Sequence, residues 1–104
     1  TGPFEMPQEI SVMAKQAEEM VKKSLDAVVT GDPDLARQVR EEDDAVDAGR
    51  QAVSKLVMQQ IQEDPQNVES LLRINSVSKH LERVADMATN IAEDVIYMVE
   101  GEIV

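Results

Sequence analysis

Four carboxylates carry the most suggestive spacing in this chain: Asp43 with Asp47, and Glu82 with Asp86, each pair at i,i+4. On a helix such partners share a face about 5–6 Å apart at Cβ, where like charges repel by a few tenths of a kcal/mol. At about 100° per residue, Asp43 lies about 60° and Asp47 about 100° to one side of Val46. Around Leu81, residues Glu82, Asp86 and Glu93 lie about 100–140° to one side, with Asn90 beyond them. Both rows flank an apolar stripe on a single edge. Oxygen ligands placed in this way suit hard cations such as Ca²⁺, Mg²⁺ and Mn²⁺, or iron in carboxylate-bridged clusters. A second reading stays open on spacing alone. With 21 acidic residues in 104, i,i+4 acid pairs arise by chance, and a solvated face is where charge ordinarily lies. Arg50 and Arg83 are placed to neutralise the row by ion pairing, worth about 0–1 kcal/mol when exposed.

Other candidate chemistry is sparse. The single histidine, His80, lies roughly 100° from the stripe on the side away from Glu82, and the Glu-x-x-His spacing of ferritin-type di-iron sites is absent. Methionines at 6, 13, 20, 58, 87 and 98 read as flexible core or interface filler rather than as a soft-metal box. Tyr97 falls on the polar side near the end of the last segment. No Ser/His/Asp set, phosphate-cradling glycine loop or dinucleotide fingerprint is present, so no enzymatic activity is expected.

Composition narrows the classes further. Leu, Ile, Val and Phe together number 27, enough for a charged chain of 104 residues to fold as one domain. There is no cysteine, which removes disulfides, thiolate zinc sites and cysteine nucleophiles. With 10 basic residues against 21 acidic, the net charge of −11 opposes binding to nucleic acid or to an anionic membrane surface. No apolar run approaches the roughly 20 residues needed to span a bilayer, so no membrane insertion is expected and cytoplasmic residence is the default.

The elements that must position the acids are helices. Prolines and glycines cluster at Thr30-Gly31-Asp32-Pro33-Asp34 and Glu63-Asp64-Pro65-Gln66, with Gly101 near the end, leaving three long segments almost free of breakers. Gly31 suits the residue after a helix, Asp32 an N-cap and Pro33 the first helical position. The spacing predicts helices over about 8–29, 33–62 and 65–100, with residues 1–7 unstructured or foreign to a single domain over 8–104. The first stripe comprises Ile10, Met13, Ala14, Ala17, Met20, Val21, Ser24 and Val28. The second comprises Leu35, Val39, Val46, Val53, Val57 and Ile61, weakened modestly by Gly49. The third runs through Ile74, Val77, Leu81, Val84, Ala85, Ala88, Ala92, Val95 and Val99, widened by Met87, Ile91 and Met98. Short loops between long helices imply an all-α, antiparallel up-down-up three-helix bundle.

The run His80-Leu81-Glu82-Arg83-Val84-Ala85-Asp86-Met87-Ala88-Thr89-Asn90-Ile91-Ala92-Glu93-Asp94-Val95-Ile96-Tyr97 resembles the last helix of the PhoU family of bacterial phosphate-uptake regulators. Glu42-Asp43-Asp44-Ala45-Val46-Asp47 resembles its second helix, and the first segment with its Gly31-Asp32 turn its opening helix. The family is built from two tandem three-helix repeats and binds metal clusters through (Glu/Asp)-x-x-x-Asp motifs on the second and third helices. The resemblance therefore implies a metal such as Fe, Zn, Mn or Mg held by Asp43, Asp47, Glu82 and Asp86. It implies negative control of phosphate uptake and signalling through contacts with a sensor histidine kinase and the ATP-binding subunit of a phosphate ABC transporter. A homo-oligomer or pairing with a second repeat is expected. One repeat corresponds to the second half of a PhoU protein, a single-repeat domain or the PhoU tail of a sodium/phosphate cotransporter. A carboxylate metal-binding helical protein is the alternative without the regulatory role. Met87 stands where many relatives have histidine.

Overall fold

In the computed structural model, which describes residues 6–101, three helices account for nearly all of the chain: α1 (Gln8–Thr30), α2 (Pro33–Glu63) and α3 (Val68–Glu100). Residues 1–5 of the expected unstructured start, and 102–104 of the expected domain, lie outside the described residues. Local signals set the helix ends. Gly31 adopts φ +64°, a left-handed conformation that costs a glycine nothing, and Asp32 Oδ1 accepts from the backbone N–H of Asp34 and Leu35. A cap of this kind is worth about 1 kcal/mol. Gly101, at φ +71°, closes α3 by donating its N–H to the Tyr97 carbonyl at 2.8 Å.

The third helix starts three residues later than its sequence suggests. Pro65–Asn67 form a 3₁₀ turn, with the Asn67 amide donating to the Asp64 carboxylate and the Asn67 N–H to the Asp64 carbonyl. A tight i,i+3 turn reverses the chain in fewer residues than an α turn would.

The helices pack as an up-down-up bundle, 54 Å in its longest dimension. As numbers rise along α2 through Arg37, Arg50 and Ser54, they fall along α3 through their partners Glu100, Glu82 and Asn75, so these two helices are antiparallel. Lys23 with Glu42, and Met13 against Gly49, make α1 and α2 antiparallel as well. Consequently α1 and α3 run parallel.

Seven-residue steps organise the core. On α1 the buried positions are Ile10, Ala17 and Ser24 interleaved with Met13, Met20 and Ala27. On α3 they are Leu71, Ser78, Ala85 and Ala92 interleaved with Ile74, Ala88 and Val95, Leu81 being partly buried, and Ile96 is fully buried next to Val95 outside both series. On α2, Val39, Val46 and Val53 form one series, and Ala36 and Val57 bracket the other. A sustained seven-residue repeat makes helices coil gently around one another. Valine costs a few tenths of a kcal/mol as a helix former, which burial at roughly 1.5–3 kcal/mol per side chain outweighs. The buried hydroxyls are satisfied locally: Ser24 donates to the Val21 carbonyl at 2.8 Å and Ser78 to that of Asn75 at 2.7 Å.

Several stripe residues fall elsewhere than expected. Val28 is 49% exposed and Val84 is also on the surface, because the seam follows seven-residue steps and leaves one edge of a wheel drawn at 100° per residue, whereas Val99, 49% exposed, continues the Leu71 series into the last turn of α3. Ala27 takes the core position expected of Val28. Of the methionines, Met13 and Met20 are fully buried, whereas Met6, Met58, Met87 and Met98 are exposed.

Gly49 is not a mere weakness in α2. A Cβ there would stand 2.7 Å from Met13 Cγ, a fully buried side chain of α1, so glycine sets the closeness of the two helices. Alanine's helix propensity favours Gly49→Ala by about 1 kcal/mol, but overpacking costs roughly 1–3 kcal/mol. We expect Gly49→Ala to lower the unfolding free energy by about 1 kcal/mol in urea titration. A stabilised variant would show that Met13 yields freely.

Candidate functional site

The seam that buries Ala36 and Val57 on α2 passes, at the same seven-residue steps, through Asp43 and Arg50. Two charged residues thus occupy core-register positions on the side of α2 that meets α3. Neither is fully buried, yet Asp43 Oδ1 is shielded from water without a hydrogen-bond partner, and Arg50 Nε is likewise shielded without a hydrogen bond. Arg50 Nε stands 3.3 Å from Glu82 Oε1 across the helix boundary, and both side chains are about 30% exposed.

The structure brings the four acids of the two sequence motifs together. Asp43 feels the negative charge of Asp47, Asp86, Asp44 and Glu82, and Glu82 feels that of Asp47 and Asp86. Desolvation first, and then these like charges, push the Asp43 carboxyl up from 3.8 to about 6. Desolvation also raises Glu82, opposed by the Arg50 charge and reinforced by the nearby Asp47 and Asp86 carboxylates. Asp86 is exposed and Asp47 half-buried. Of the other residues on this row, Glu93 is half-buried and Asn90 exposed, and neither is among the groups that perturb Asp43 or Glu82. His80 is exposed, as is Tyr97.

Polar contacts extend along the same boundary. Arg37 pairs with Glu100 near one end, and Ser54 Oγ donates to Asn75 Oδ1 at 3.1 Å on the other side of the acids. Between α1 and α2, Lys23 pairs with Glu42, which raises the lysine pKa chiefly through that hydrogen bond. The Lys23–Glu42 and Ser54–Asn75 contacts escape a single-helix reading, since each depends on which neighbour a face meets. The seven-residue step from Ala36 through Asp43 and Arg50 to Val57 is the signal that marks the charged pair.

The chain matches the family described as "PhoU domain" over residues 10–95. It belongs to that family. Phosphate-specific transport system accessory protein PhoU homologs are similar to it along most of its length. The one from Synechocystis is 39% identical over 96% of this chain, the one from Pseudomonas aeruginosa 37% over 89%, and the one from Rhizobium meliloti 30% over 95%. The chain spans about two-fifths of these relatives, 44%, 38% and 42% respectively. No helix among the described residues is long and apolar enough to cross a membrane.

The PhoU resemblance implies a metal on the four acids, and their oxygens, including the unpartnered Oδ1 of Asp43, have the right donor chemistry for a hard cation. The geometry does not fit one as it stands. Among the described residues, no three acidic or histidine side chains gather closely enough to hold an ion, and Arg50 is set against Glu82.

The raised carboxyl of Asp43 makes a pH-dependent stability term with a definite sign. The folded chain binds this proton more tightly than the unfolded one, so the charge is destabilising above about pH 6 and the penalty disappears below about pH 4. Allowing for partial exposure to water, we expect Asp43→Asn to be more stable than the parent by about 1 kcal/mol near pH 7, and by nothing near pH 4. Urea titration at several pH values checks this; a pH-independent difference would contradict it.

Proposed function

We propose that this PhoU unit is a regulatory binding module that restrains phosphate uptake and phosphate signalling through protein contacts. Similarity to phosphate-specific transport accessory proteins along nearly the whole chain carries the reading. The net charge of −11, with Glu18, Glu41, Asp44, Asp86 and Asp94 exposed, favours a basic protein surface as the partner. Such complementarity sets encounter rate and specificity more than affinity. The partners are the ATP-binding subunit of a phosphate ABC transporter and the sensor histidine kinase of phosphate signalling. The acid cluster is the place where a positive charge ties α2 to α3 and keeps the outer acidic surface in register, without chemistry of its own.

Binding measurements with the purified ATP-binding subunit and the kinase's cytoplasmic portion test this, with a full-length PhoU homolog as the positive control. We expect a complex with at least one partner, weakened at least tenfold when salt shortens the screening length from about 10 to about 3 Å. No complex with either, while the homolog binds, would contradict the proposal.

A further inference from the structure

We propose that Arg50 is the resident counter-cation of the Asp43, Asp47, Glu82 and Asp86 cluster, holding in this chain the place that a divalent metal ion would otherwise take. The inference rests on the cation reading of the acid cluster given above and identifies the cation. Three observations carry it. Arg50 occupies the same seven-residue series of α2 as Asp43, so the backbone delivers its side chain to the seam that the acids flank. Its Nε lies 3.3 Å from Glu82 Oε1 on the facing helix, shielded from water. The acids themselves are not drawn together as metal ligands: no group of three converges among the described residues, and Asp43 Oδ1 is left without a partner.

The chemistry of the guanidinium explains why it serves here. Arginine keeps its charge at any physiological pH, so the positive charge cannot be lost by deprotonation as a lysine's can when desolvated. It donates only, and its planar fork meets one carboxylate at a time, whereas a hard cation would draw several oxygens to about 2.0–2.6 Å. One fixed positive charge therefore relieves the like-charge repulsion across α2 and α3 without contracting the cluster. A divalent ion entering beside it would meet both the guanidinium's charge and a Glu82 oxygen already ion-paired with it. Metal loading then requires Arg50 to leave Glu82. Lys23 and Arg37 do not substitute, being paired with Glu42 and with Asp34 and Glu100.

Calorimetric titration of the chain with Mn²⁺, free of chelator, tests this on four proteins: the parent, Arg50→Gln, Arg50→Met and Arg50→Gln with Glu82→Gln. Circular dichroism of each confirms the helical fold, and the two neutral replacements guard against one of them failing to fold. We expect weak binding by the parent and at least tenfold tighter binding by a folded Arg50 variant, lost again when Glu82→Gln is added. Parent binding as tight as that of the Arg50 variants would overturn the proposal, because metal and arginine would then coexist. No gain in any folded Arg50 variant would overturn it too. The readout is independent of partner binding, so failure of the regulatory reading leaves it untouched, and its own failure leaves the regulatory reading standing.

Discussion

A seven-residue seam shared by three helices is the constraint on which this molecule depends, and on α2 that seam runs through two charged residues. Everywhere else it carries small or apolar side chains, many of them alanine or serine, which let long helices lie close together. At Asp43 and Arg50 the same register brings an acid and a base to the α3 boundary. A core made of such small residues buries modest apolar area per layer, so the polar middle of α2 is not diluted by large hydrophobes around it. The resulting cluster is a compromise: four carboxylates repel, one guanidinium answers part of the charge, and a shifted carboxyl answers more by holding its proton up to about pH 6.

This arrangement divides the bundle by chemistry. The α2/α3 boundary is stitched by polar contacts along its length, from Arg37–Glu100 through Arg50–Glu82 to Ser54–Asn75. The α1/α2 boundary has the Met13 side chain pressed against the Gly49 backbone and the ion pair Lys23–Glu42. Outward of the core, α1 presents Leu25 and Val28, and α3 presents Val84, Met87 and Met98, as exposed apolar side chains on a surface that is otherwise strongly acidic. For a regulatory unit the useful consequence is rigidity. Long helices fixed at their α2/α3 edge present an acidic surface in one shape, as recognition by charge complementarity requires.

Much of this is legible in the sequence where the signals are local. Gly31, Asp32 with Pro33, Asp64 with Pro65, and Gly101 each act through their own backbone or the next turn, so their spacing places the helix ends to within a few residues. The two acid motifs are legible for the same reason: i,i+4 geometry needs only one helix, and the stripe beside each tells which way it faces. What cannot be read from one helix is the neighbour. Gly49 looks like a soft point until Met13 of α1 is placed 2.7 Å from its missing Cβ. Ion pairing by Arg50 is foreseeable, but its partner Glu82 and its position in the core register are set by how α2 and α3 meet. Val28, Val84 and Val99 belong to broad apolar arcs, and only the two neighbouring helices decide which part of each arc is covered.

The most direct measurement is a double-mutant cycle between Arg50→Met and Glu82→Gln, read as unfolding free energy near pH 7. If Arg50 answers the acid cluster across the α2/α3 boundary, the two changes together cost less than their separate effects summed, with a coupling of roughly 1 kcal/mol for a partly buried pair inside a like-charged cluster. Additive effects, with no coupling between the two sites, would contradict the account by showing that the guanidinium and the carboxylate are neighbours without being partners.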